Sequence, residues 1–189
     1  LISFFGRINY SLMDRYMVTA TLRRDGSSRF GNNHKWGVFP SVSLAWRISE
    51  EPFMASTHEW LDNLKLRAGF GVTGNQNGIG EYKSLAILSP SGAAYFDGTT
   101  GTWKNAYTQI QNPNPDLKWE STAQWNLGVD FSVFNKLNGT LELYYKKTSD
   151  LLWTYPVPQP PYLVGTMLAN VGDLVNKGFE LSLGYKAVR

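Results

Sequence analysis

The stretch RAGFGVTGNQNG, residues 67–78, places Gly69, Gly71 and Gly74 at the spacing of a dinucleotide-binding loop. Such a loop needs a strand before it and a helix opening inside it, so that phosphate sits on the helix N-terminus. The residues that follow read NQNGIGEY, amides and glycines with no helical apolar period. Phosphate binding is therefore not expected. The glycines read better as strand residues that leave space on one face or admit a close backbone approach.

The remaining chemistry-bearing residues are equally sparse. His34 and His58 are the only histidines, and they fall in connections at opposite ends of the expected strands, without a carboxylate cluster at ligand spacing. The chain has no cysteine, which excludes disulfides and thiolate metal sites. Glu50 and Glu51 sit in a short connection, where a solvated role is expected rather than acid–base work. DGSSRFGNN, residues 25–33, offers calcium Asp25 and the amides of Asn32 and Asn33, short of the acidic count of a calcium loop. No Gly-x-Ser-x-Gly elbow is present. An enzyme is not expected, nor any cofactor or resident metal.

What the sequence does carry is alternation with period two. In residues 36–49 the even positions are Trp36, Val38, Pro40, Val42, Leu44, Trp46 and Ile48, against mostly small or polar odd positions. Residues 117–133 repeat the contrast, with Leu117, Trp119, Trp125, Leu127, Val129, Phe131 and Val133 in one phase. Five further segments behave alike: residues 3–12, 16–25, 64–73, 139–151 and 177–186. About seven strands follow, each with one apolar and one wet face. A short helix is expected around residues 55–61.

The connections alternate in length. Residues 13–15 and 135–138 are tight turns and residues 50–63 a moderate link, whereas residues 26–35, 75–116 and 152–176 are long polar loops. This describes an antiparallel up-and-down sheet. A 42-residue irregular loop is out of place in a compact soluble domain. It suits an outer-membrane barrel, with short periplasmic turns and long extracellular loops.

Strand length points the same way, since sandwich strands run about 5–6 residues and these run 10 to 17. Trp36 and Trp46 share the apolar face ten residues apart. At a tilt of about 40° that spans about 25 Å along the membrane normal, near the height of a lipid-facing band. Trp36, Trp46, Tyr10 and Tyr185 are the expected lipid-facing girdle; Trp125 fits less well, at mid-strand. The expected fold is all-β: a transmembrane β-barrel sector of about seven strands, incomplete because bacterial barrels take an even number from eight upward. The alternative is a soluble or surface carbohydrate-binding β-domain, its apolar face covered by a second sheet.

Composition agrees with the first reading. Charged residues are 17% and aromatics 14%, with 7 Trp and 10 Tyr, against roughly 25% charged in soluble domains. Net charge is +3, but the basic residues are scattered singly, which argues against nucleic acid. Leu1 starts in a strand pattern without a charged leader, and the end, Lys186-Ala187-Val188-Arg189, lacks a terminal aromatic. Both ends read as falling mid-pattern.

Five motifs occur in order: RRDGSSRFG (residues 23–31), KWGVFPSVSLAWRISEEPF (35–53), LKLRAGFGVTGNQ (64–76), NPDLKWESTAQWNLGVDF (114–131) and NVGDLVNKGFELSL (170–183). Together they resemble the C-terminal part of the barrel in SusC/RagA-type TonB-linked outer-membrane proteins; only residues 80–113 have no counterpart. The resemblance implies a 22-stranded barrel with an N-terminal plug, energised through TonB and ExbB/ExbD in the outer membrane of a Gram-negative cell. It implies import of glycans, oligosaccharides or peptides with a SusD-type surface lipoprotein as lid. Residues 1–189 would then be one sector of that barrel, without the plug, TonB box and remaining strands.

On this reading the polar-face charges, Arg7, Arg23, Arg47, Lys65, Arg67, Lys118, Glu120, Asp130, Glu142 and Glu180, face a hydrated interior, mostly as cross-strand pairs that hold register. The candidate contacts for solute or lid are loop aromatics: Tyr95, Phe96, Trp103 and Tyr107 in the longest loop, and Trp153, Tyr155 and Tyr162 near YPVPQPPY, whose prolines hold it extended.

Overall fold

The computed structural model describes residues 1–187; Val188 and Arg189, at the terminal stretch read above, lie outside the described residues. Seven strands form one antiparallel sheet: β1 (Ile2–Leu12), β2 (Tyr16–Gly26), β3 (Trp36–Arg47), β4 (Leu61–Asn75), β7 (Glu120–Val133), β8 (Leu137–Ser149) and β11 (Asp173–Tyr185). They lie side by side in chain order, and β1 and β11 are open edges. Two hairpins interrupt the chain outside the sheet, β5 (Ile87–Asp97) with β6 (Thr102–Gln111) and β9 (Leu152–Pro156) with β10 (Thr166–Asn170). No helix among the described residues is long and apolar enough to cross a membrane.

The two ends of the sheet differ as the connections predict. At one end β1–β2 and β7–β8 close through three-residue connections, 13–15 and 134–136, whose first two residues, Met13 and Asp14, and Phe134 and Asn135, are at positive φ. That is the turn geometry whose twist matches paired strands. The link between β3 and β4 at the same end holds two 3-10 turns, Ile48–Glu50 and Pro52–Thr57. The helix expected at residues 55–61 is thus shorter and earlier, because Leu61 already pairs with Val133.

Register puts the apolar rows on one face. Ala20, Val42, Phe70, Trp125 and Tyr145 stand opposite one another strand by strand, and so do Val18, Leu44, Ala68, Leu127 and Leu143. Nothing among the described residues covers them: Val42, Leu44, Trp125, Leu127 and Leu143 are all exposed. A sandwich needs a second sheet there, and the two hairpins belong to the loops. The soluble-sandwich alternative fails on this point.

Buried hydrophobic residues gather instead at the long-loop end. Above Ser41 and Gly71 the strands β3 and β4 no longer pair, although β4 stays paired with β7 up to Asn75 and Glu120. Phe30, Phe39, Ile79, Leu117 and Trp119 form a cluster at this end, with Val72, Leu152 and Leu168 against it. Phe39 meets the Trp119 ring edge-on at 5.5 Å, and Phe30 lies 4.4 Å from it. Leu117 and Trp119, read from alternation as the start of the outer row, are therefore loop core, and β7 starts at Glu120. The expected irregular loops 75–116 and 152–176 likewise contain the hairpins, and β11 begins at Asp173.

Candidate functional site

Three surfaces could act: the uncovered apolar face, the polar face behind it and the loop cluster above. On the apolar face of β2, β8 and β11 the first charged residues are Arg24, Lys147 and Lys177. They stand eight residues above Tyr16, ten above Leu137 and eight above Tyr185. The apolar band below them is therefore about 20–25 Å high for tilted strands.

Aromatics mark both margins of this band. At the short-turn end Tyr16 stacks on Trp46 with 6.3 Å between ring centroids, and Tyr10 and Tyr185 stand exposed. At the long-loop end Trp36 stacks on Phe4 at 6.3 Å, with the Arg24 guanidinium 4.8 Å over its ring. Trp125 is packed between Phe70 and Tyr145, at 5.0 and 5.6 Å. It stands eight residues above Val133 at the short-turn end of β7, hence in the upper part of the band by the same rise, about 20 Å. Strand position alone made it look central.

Glu51 departs from the solvated role expected of it. Its carboxylate is buried, 8% exposed, and accepts hydrogen bonds from Tyr16 Oη at 2.5 Å and Trp46 Nε1 at 2.9 Å, with Arg15 Nη1 at 3.6 Å. The Tyr16 bond first, then the Trp46 bond, holds this carboxyl below the usual glutamate range. Glu51 is thus a clasp between the short-turn rim and two rim aromatics. Glu50, its neighbour, pairs locally with Arg47 at 3.2 Å.

The opposite face is polar and internally bonded. Arg67 donates to both oxygens of Asp130, at 2.8 and 3.0 Å, and lies 3.7 Å from Glu142. Thr140 donates to Asp130, Asn126 to Glu142 and Thr19 to Asn9. Arg7 binds Thr21. Arg23 binds Asp25 on its own strand, Lys118 pairs with Asp150, and Glu120 accepts from Asn75. Between these groups, Gly69, Gly71 and Gly128 floor a groove of about 340 Å³. The glycines that opened the sequence question are strand residues. Within residues 25–33, Asp25, the only carboxylate, is already taken up by Arg23 and Ser3, while Asn33 donates its Nδ2 to Asp116. His34 and His58 lie at opposite ends of β3, and no His/Asp/Glu cluster able to hold a metal occurs among the described residues.

Of the loop aromatics Tyr95, Phe96, Trp103, Tyr107 and Trp153 are exposed and Tyr155 and Tyr162 half-buried, and they do not form one group. Phe96 and Trp103 face each other across β5–β6 in an edge-on pair at 5.6 Å. Tyr107 follows on the Trp103 side of β6, while Tyr95, opposite Lys104, is on the other face. Trp153 and Tyr155 share one side of β9, opposite Ala169 and Met167, and Tyr162 is half-buried in the turn beyond. At the β5–β6 tip, Lys104 and the Thr99 and Thr100 amides hold Asp97 down to about 2.

Sequence reasoning missed what joins these pieces. Asn112 and Asn114 donate side-chain amides to the carbonyls of Val164, Thr166 and Leu168. Asn170 both accepts from Lys118 N and donates to Lys118 O and Asp150 O. Amides thus occupy the free edge of β10 and fix the second hairpin to the end of the longest loop. The available signal was Asn-Pro-Asn-Pro at 112–115, which has amides but cannot form a regular strand.

The model of the TonB dependent receptor-like β-barrel family matches residues 2–187. The chain is 42% identical over 190 residues to TonB-dependent receptor P39 of Formosa agariphila, covering 100% of this chain and 17% of that protein. It is 42% identical over 195 residues to TonB-dependent receptor SusC of Bacteroides thetaiotaomicron, covering 100% and 19%. The chain thus spans about a fifth of the curated relatives it matches. Among solved structures, the RagAB peptide importer superposes in its open-open state with a TM-score of 0.85 at 32% identity, over 96% of this chain and 19% of that one. Its closed-closed state gives 0.81 at 30%, over 99% and 20%. The siderophore receptor PirA of Pseudomonas aeruginosa, at 17% identity and 0.59 over 95% of this chain and 30% of that one, shares the fold.

Proposed function

The chain belongs to the TonB-dependent receptor β-barrel family, and on that premise we propose that it forms wall and extracellular loops of an outer-membrane importer of oligosaccharides in a Gram-negative cell. The observation that carries this is the uncovered apolar band, about 20–25 Å high by the strand rise, backed by a polar, internally hydrogen-bonded face. Trp36, Trp46, Tyr10 and Tyr185 serve as its interfacial girdle, since amphipathic rings settle where hydrocarbon meets water. Energy would come through TonB and ExbB/ExbD by way of segments outside these residues, with a SusD-type surface lipoprotein as lid. The exposed rings of Phe96, Trp103, Tyr107 and Trp153 suit sugar faces or the lid; Tyr95, Tyr155 and Tyr162 flank them.

A second reading, peptide import, draws support from the likeness to the RagAB peptide importer at 30–32% identity. One experiment separates the two. Cells with and without the full-length protein receive panels of labelled neutral oligosaccharides and labelled peptides, before and after collapse of the proton-motive force. The oligosaccharide reading expects sugar uptake that collapse abolishes and that Trp103→Ala with Trp153→Ala reduces severalfold. Peptide uptake alone would establish the second reading, and uptake of neither would end both.

A further inference from the structure

One short side chain breaks the outward apolar face of the sheet. In the row Val18, Leu44, Ala68, Leu127 and Leu143 it is Ala68, which on its own strand stands between Leu66 and Phe70. A groove results. Its first hollow, of about 530 Å³, lies between Tyr16, Val18, Leu44, Trp46, Leu66 and Ala68. A second, of about 500 Å³, continues past Leu44 and Ala68 to Phe70, Trp125 and Tyr145. The walls are β2, β3, β4, β7 and β8, each paired on both sides, so none depends on the open edges of the sheet.

The polar atoms of the two rim rings in the first hollow are committed elsewhere. Tyr16 Oη and Trp46 Nε1 both donate to the buried Glu51 carboxylate. The other side chains lining it, Met17 and Ala45 included, are apolar. A sugar or peptide lying there would lose its hydrogen bonds to water without replacement. Hydrocarbon loses nothing and gains burial.

The short-turn end of the groove adds a charge. Arg15 precedes Tyr16, and its Nη1 lies 3.6 Å from Glu51 Oε2, too long for a hydrogen bond. The Arg15 side chain is 31% exposed, so its fork of donors stays open to a further acceptor. The Glu51 charge is meanwhile taken up by the two rim rings. A cation with open donors beside a purely apolar groove, at the margin of the band, is complementary to a phosphodiester joined to a fatty chain.

We infer that the groove holds one acyl chain of a glycerophospholipid, lying from the Tyr16–Trp46 rim toward Ala68, with its phosphate on the Arg15 guanidinium. The site rests on the membrane-sector reading and is independent of the cargo. A second copy of the chain is the poorer occupant, because specific protein contacts bury about 1,200 Å² or more in total, and a hollow one residue wide admits a hydrocarbon chain rather than a strand.

Native mass spectrometry of detergent-purified full-length protein tests this by counting bound lipid during titration with palmitoyl-oleoyl phosphatidylethanolamine, against the diacylglycerol of the same chains. Ala68→Leu fills the hollow, Arg15→Gln removes the charge and Arg15→Lys keeps one; heat-modified gel mobility checks that each variant is folded. The site predicts a single phospholipid bound in preference to the diacylglycerol. That binding should weaken about tenfold in Arg15→Gln and stay within a few-fold of wild type in Arg15→Lys, while Ala68→Leu should weaken both lipids severalfold. Equal binding of the two lipids, or phospholipid binding that neither Ala68→Leu nor Arg15→Gln changes, overturns the site and leaves the membrane-sector reading standing. A lipid-free dimer that Ala68→Leu dissociates also overturns it and gives the groove to a second copy. Failure of the wild type to insert into vesicles of the same phospholipid ends both readings.

Discussion

Arg67 on β4 grips Asp130 on β7 with two hydrogen bonds, at 2.8 and 3.0 Å, although the residue standing opposite Asp130 in the register is Lys65. The guanidinium reaches diagonally because its own opposite residue is Gly128, where a Cβ would lie 2.9 Å from Arg67 Nη2. A glycine thereby selects which cross-strand pair forms. Two-pronged pairs are stronger than single ones, but these side chains are a quarter to a third exposed, so solvent screens them. Arg67→Met should cost about 1 kcal/mol on that basis. The temperature at which the full-length protein loses its compact gel mobility should fall by a few degrees, and Gly128→Val should produce part of the same loss.

The loop core makes a sharper prediction. A Cβ at Gly74 would sit 2.0 Å from Phe39 Cζ, and that ring is held against Trp119. Gly74→Ala should overpack the cluster at a cost of about 1–3 kcal/mol, seen as faster protease cleavage in residues 76–119 on intact cells. Phe39→Leu should relieve much of this, so the two changes together should cost less than their sum. Additive costs would contradict the proposed clash.

The amide clamp can be tested separately. Asn114 is 9% exposed and donates to Leu168 O at 2.9 Å. Asn114→Ala leaves that carbonyl without this donor, a loss of about 1–3 kcal/mol. Hydrogen exchange should quicken across residues 164–170 and stay unchanged in β7 and β8.

Glu51 introduces a pH dependence with a definite sign. Its carboxyl is held below the ordinary value, which is about 4.3 for glutamate. Its contribution to stability is therefore complete above that pH and fades as pH falls through the lower folded-state value. Glu51→Gln should be less heat-stable than wild type at pH 7, and the gap should close on acidification below about pH 4. A gap that stays constant down to pH 3 would contradict the charge-assisted clasp.

Much of the sheet was legible because period two is a direct consequence of strand geometry. Seven alternating runs correspond to the seven strands, and the short turns lie where Met13–Asp14 and Phe134–Asn135 take positive φ. What was lost shows the limits of periodicity. Leu117 and Trp119 keep the phase of β7 yet are buried in the loop core, since alternation records which side a residue faces and not what covers it. The β5–β6 hairpin was unreadable because ILSPSGAAYFD carries a proline and a glycine and its register slips between Pro90 and Ala94. Glu51 looked solvated because its partners, Tyr16 and Trp46, reach it only after the rim has folded.

The central claim is that even positions of β3 and odd positions of β7 face hydrocarbon while their neighbours face water. Single cysteines carrying a nitroxide at Leu44, Leu127 and Leu143, and at Ser43, Gln124 and Asn126, in the full-length protein reconstituted into bilayers measure this directly. The first three should relax faster with oxygen, which partitions into lipid, and the last three with a water-soluble nickel chelate. Equal accessibility to both agents at the two sets, or the reverse order, would contradict the membrane-sector account.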